Sequence, residues 1–96
     1  MLIQLNKFGN TLSSRSAGRE AWLAIQPILQ EMMPNQKIEI DFGGVGVLTP
    51  SWADEFITPL MKKYTPNQVI LNPSQNPSVN TTIELLEDTW QSHNSV

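Results

Sequence analysis

Polar and apolar residues alternate from Lys37 to Phe42, so that Ile38, Ile40 and Phe42 share one side of an extended chain. A period of two is the pattern of a strand with one buried face. Leu2, Ile3 and Leu5 predict a short first strand. Gly9-Asn10 predicts a turn, because both residues tolerate positive φ, and Thr11-Leu12 is expected to return as a small hairpin. Val69-Ile70-Leu71 is wholly apolar and ends at Asn72-Pro73, which reads as a buried strand.

Between these strands the period changes to that of helices. Ser13-Ser14-Arg15-Ser16 offers several N-caps. Ala21, Ile25, Ile28 and Met32 then follow at spacings of 4, 3 and 4, widened by Trp22, Leu29 and Met33 and stopped by Pro34-Asn35. A second helix carries Ala53, Phe56, Ile57, Leu60 and Tyr64. Either Thr49 caps it with Pro50 in the first turn, or Ser51 caps it and Asp54 closes a capping box. Asp54 and Glu55 near its start and Lys62-Lys63 near its end suit the helix dipole. A third helix begins near Asn76-Pro77-Ser78 and presents Val79, Ile83, Leu86 and Trp90. Pro27 and Pro59 fall inside the first two helices, each costing about 3 kcal/mol in a straight interior. The unbroken apolar spacing favours bent helices over early ends.

Strand alternates with helix throughout, which predicts an α/β fold with a small mixed, largely parallel sheet of about four strands and three helices. Ninety-six residues make one domain, 1–96, with a polar tail from about residue 92. The chain is 40% hydrophobic and 16% charged, contains no cysteine and must fold without staples. Its N-terminus has no signal-peptide pattern and no apolar run spans a bilayer, so a cytoplasmic protein without a membrane partner is expected. A formal charge of −3 with scattered Lys and Arg argues against nucleic acid. His93 lies in the polar tail without ligand companions, so no metal or cofactor is expected.

The run Asp41-Phe42-Gly43-Gly44-Val45-Gly46-Val47-Leu48-Thr49-Pro50-Ser51-Trp52-Ala53-Asp54-Glu55-Phe56, with upstream Phe8-Gly9, Ser14-Arg15 and Gly18-Arg19, resembles the STAS-like domains. These are a bacterial family related to the anti-sigma factor antagonists. The resemblance implies a STAS-type fold and a regulatory role in signalling. The partner would be a protein, such as a histidine-kinase-like ATPase, bound where the Asp-bearing strand leads into a helix. In the antagonists a Ser near that helix start is phosphorylated; Pro50 stands at that place here, flanked by Thr49 and Ser51.

The candidate partner-binding residues are therefore Arg15, Val45, Thr49, Ser51, Trp52, Asp54 and Glu55, with Thr49 and Ser51 as candidate phosphorylation sites that also serve as helix caps. Trp52 is either an exposed aromatic anchor or core beneath the glycine loop. Arg15, Asp41, Asp54 and Glu55 can be drawn as an acid–base cluster. No nucleophile–base pair, metal pattern or phosphate-binding loop accompanies them, so no catalytic residue is assigned. An ion pair from Arg15 to Asp54 or Glu55 is the expected arrangement. A small-ligand sensor, an enzyme using the carboxylates and a homo-oligomer stand as alternatives.

Overall fold

The computed structural model describes residues 1–94, with side chains to Trp90. β1 (Leu2–Gln4), β3 (Ile38–Asp41) and β5 (Val69–Leu71) form a three-stranded sheet with β3 in the centre. β2 (Thr11–Leu12) and β4 (Val47–Leu48) form a second pair, and every pairing among the described residues is parallel. Of the three helices, α1 (Arg15–Gln30) and α2 (Pro50–Lys63) supply the crossovers, and α3 (Pro77–Asn94) follows the last strand. α1 packs on α2, and α2 on α3. The α/β class and parallel topology agree with expectation, but five strands in two sheets replace a single mixed sheet of four.

The alternation over residues 37–42 holds. Ile38, Ile40 and Phe42 are buried, while Glu39 faces outward. β5 departs from expectation: as an edge strand it buries Val69 and leaves Ile70 exposed. Ile70, Glu39 and Leu2 lie in register across the sheet, all exposed on its outer face.

The expected hairpin does not form. After β1 the chain makes a 3-10 turn over Leu5–Phe8, burying Leu5 and half-burying Phe8. Gly9, at φ 133°, then sends the chain away from β1, and β2 pairs with β4 instead. Burial of Leu5 and Leu12 on either side of the turn outweighs local pairing of the two strands.

α1 runs through Pro27 and α2 through Pro59. α1 buries Gly18, Ala21, Ile25 and Leu29, leaving Ile28 on its exposed side. It ends at Gln30, before Met33. The Glu31 and Met32 amides bond back to Ile28 and Leu29 in a tightened last turn. Pro34 disfavours a helical Met33, so the turn closes early. Asn76 accepts the Ser78 amide at 2.9 Å and thereby caps α3. α3 buries Val79, Thr82, Leu86 and Trp90 and continues to Asn94, into the stretch expected as polar tail. The side chain of His93 lies outside the described residues.

Candidate functional site

The site begins where β3 ends. Asp41 is half-buried, and its Oδ1 accepts the Gly43 amide at 3.3 Å, which turns the chain. Gly44 sits at φ 80°, a conformation L side chains rarely adopt, and a Cβ there would lie 2.8 Å from Asn6 Nδ2. At Gly46 a Cβ would approach Asn10 Oδ1 to 2.7 Å.

These glycines admit the 6–10 segment against the loop. Asn10 Nδ2 donates to the Gly44 carbonyl at 2.8 Å, and the Asn10 carbonyl accepts from the Gly46 and Val47 amides. On the other side Asn76 Nδ2 donates to the Val45 carbonyl at 2.8 Å. The glycine loop is thus tied down on both sides. It carries β4, which no periodicity announced in a strand two residues long.

Thr49 caps α2 with Pro50 in the first turn, the first of the two alternatives. Its Oγ1 accepts from the Trp52 amide at 3.4 Å and faces the Ser13 carbonyl as donor at 3.1 Å. The Thr49 amide donates to the Leu12 carbonyl at 2.9 Å. Thr49 is therefore a structural junction between β2 and α2. Ser51, half-buried beside it, is not the cap.

Trp52 and Val45 are corrections. Trp52 is 1% exposed and Val45 is also buried, so neither presents its side chain at the surface. Trp52 stacks on Phe56, with ring centroids 5.1 Å apart, and Phe8 joins both. Trp22, half-buried, meets the Phe56 ring edge-on. Trp52 faces inward into this aromatic group, where ring packing adds to area burial, while α1 passes close over its backbone. The approach is set by Gly18, where a Cβ would stand 2.5 Å from the Trp52 carbonyl oxygen.

Arg15, exposed at the start of α1, reaches α2 as expected. Its Nη1 lies 2.9 Å from Asp54 Oδ2 and 3.8 Å from Glu55 Oε1. The hydrogen bond to Asp54 raises the Arg15 guanidinium above its ordinary range. The bond from Arg15 holds the Asp54 carboxyl below the ordinary range, reinforced by the Thr58 hydroxyl and opposed by partial burial.

Asp54 also opens a path inward that sequence reading missed. Thr58 Oγ1 donates to Asp54 Oδ1 at 2.9 Å and accepts from buried Trp90 Nε1 at 2.8 Å. A polar chain of Arg15, Asp54, Thr58 and Trp90 thus joins α1, α2 and α3. The i, i+4 spacing of Asp54 and Thr58 was a readable signal, but Trp90 lies 32 residues away.

The structure therefore brings together Arg15, Asp54 and Glu55 at an open rim, with Ser51 and Thr49 at the same helix start. Asp41 bonds to its own turn and is not a partner of Arg15. Both carboxylate oxygens of Asp54 are engaged, Oδ2 by Arg15 and Oδ1 by Thr58.

A family model described as a STAS-like domain of unknown function matches residues 25–73, just over half of the chain. Comparison with curated proteins returned no match. Comparison with solved structures returned none either. The matched stretch contains β3 to β5 and α2; the upstream Phe8–Arg19 segment lies outside it and joins it through the contacts above. No helix among the described residues is long and apolar enough to cross a membrane.

Proposed function

We propose, from the premise that this chain belongs to the STAS-like family, that it is a non-catalytic regulatory module that binds a protein partner. The binding surface is the rim where α1 and α2 begin, centred on Arg15, Glu55 and the open side of Asp54. One observation carries the reading. An exposed Arg15 bridges two carboxylates, each about a third exposed, on a neighbouring helix whose Trp52 and Phe56 stack in the core. Such a cluster offers charge of both signs at fixed positions, which suits register and selectivity in docking.

Within the rim, Ser51 is the hydroxyl suited to regulation, because Thr49 is engaged as cap and β2 junction. A phosphate on Ser51 adds about −1.5 to −2 charge at pH 7 one helical turn before Glu55 and disfavours an acidic partner. The partner class that the family resemblance suggests is a histidine-kinase-like ATPase.

The test places a photoreactive residue at Ser16 or Ser51, with exposed Glu87 on α3 as control. The expected result is one protein adduct from the rim positions and none from Glu87. Combining Arg15→Glu with Glu55→Lys should weaken that complex about tenfold or more, a change of about 1.4 kcal/mol. Equal labelling from all three positions, or indifference to the charge changes, rejects the rim as the interface.

A further inference from the structure

β1 is an edge of the three-stranded sheet, and an apolar groove that includes none of the rim's ion cluster lies beside it. The Glu39 amide donates to the Met1 carbonyl at 2.8 Å, and Leu2 stands opposite Glu39 in a parallel register. In a parallel ladder the bonding residues alternate, so Met1 and Ile3 face β3 while the peptide groups of Leu2 and Gln4 face outward. An open edge of this kind is a template for another strand.

The groove beside that edge has a volume of about 350 Å³ and lies between β1 and α1. Leu2, Phe8, Ala24, Ile25 and Ile28 line it, and Leu2 and Ile28 are 54% and 52% exposed. Ile28 is the residue that the helix pattern alone would have buried. Its outward position enlarges the apolar surface at this edge.

Lys7 lines the same groove and makes no ion pair among the described residues. A cation left there, in a chain of formal charge −3, gives the groove a sign opposite to that of the whole molecule. Pairing β1 with its copy in a second chain does not complement it, because residues 1–19 contain no Asp or Glu.

We infer that the β1 edge receives an extended segment of a partner protein, apolar at alternate positions and bearing a carboxylate that meets Lys7. An added strand supplies hydrogen-bond partners to Leu2 and Gln4, and every second side chain enters the groove. A helix laid in the groove would satisfy the apolar wall but leave those peptide groups unmet. This surface is distinct from the Arg15–Glu55 rim, so each stands or falls by its own variants.

The probe is an end-capped peptide of alternating Thr and Val that finishes in Glu, titrated into the isotope-labelled chain and followed by amide chemical shifts. Shifts should concentrate on residues 2–7 and 24–28. Replacing the peptide's Glu with Lys should weaken binding about fivefold, as expected for losing one exposed ion pair. Lys7→Glu should reverse that preference and Lys7→Gln should abolish it, both in folded protein because Lys7 is exposed. N-methylation of alternate peptide nitrogens should remove binding. Four results overturn the inference: no shifts at about millimolar peptide, binding indifferent to charge, binding that tolerates N-methylation, or sedimentation of a dimer paired through β1.

Discussion

Gly18 lets α1 approach α2 by the absence of one carbon. A Cβ there would stand 2.5 Å from the Trp52 carbonyl oxygen and 3.0 Å from its Cα, which are backbone atoms that cannot rotate aside. Gly18→Ala is therefore expected to push the helices apart at a cost of about 1–3 kcal/mol, despite alanine's better helix propensity. Gly43 is the control. Its Cβ would meet the Asp41 carboxylate at 3.5 Å, an ordinary contact without positive φ. Gly43→Ala should change stability by no more than about 0.5 kcal/mol. Thermal unfolding followed by circular dichroism distinguishes the two. A Gly18→Ala melt matching the unmodified chain would mean that α1 does not approach α2 this closely.

At the level of elements, the three helices are linked by polar bonds as well as by packing. Trp90 on α3 donates to Thr58 on α2, which donates to Asp54, which receives Arg15 from α1. Thr58→Val preserves shape but leaves the buried Trp90 N–H unpaired, at an expected cost of about 1–3 kcal/mol. Trp90→Phe removes that donor together with part of a buried ring. In the double variant the unpaired N–H is absent, so the losses should fall short of additivity by about 0.5–3 kcal/mol. Urea unfolding of the four proteins measures the coupling. Strict additivity would indicate that Thr58 and Trp90 do not interact.

For the whole molecule, Asp54 links acid stability to the rim. Its folded carboxyl lies below the ordinary range because Arg15 bonds to it. The unfolded chain consequently takes up protons first as pH falls, and stability declines with them. The contribution is complete above the unfolded value, about 3.9, and is lost as pH falls through the lower folded value. With a third of the side chain exposed, solvent limits its size. Asp54→Asn should lose less stability than the unmodified chain between about pH 5 and pH 2.5. Denaturant midpoints across that range are the measurement, and identical acid profiles would remove the link.

Much of the fold was legible because it depends on local period and local caps. The alternation over Lys37–Phe42, the capping chemistry at Ser14, Thr49 and Asn76, and the alternation of strands with helices all act within a few residues. They determined the class, the three helices and the direction of the sheet. The Arg15–carboxylate pair was also foreseeable, since parallel crossovers bring helix starts to one rim.

Tertiary structure decided which of several locally acceptable arrangements won. β2 prefers β4 over β1, Ile28 turns outward, and Trp52 turns inward, because each depends on residues distant in the chain. Asn10 meets the Gly44 loop across 34 positions, and Gly18 meets Trp52 across the interface of two helices. Period and propensity record how one segment prefers to lie. Where segments compete for the same buried space, only the assembled chain chooses between them.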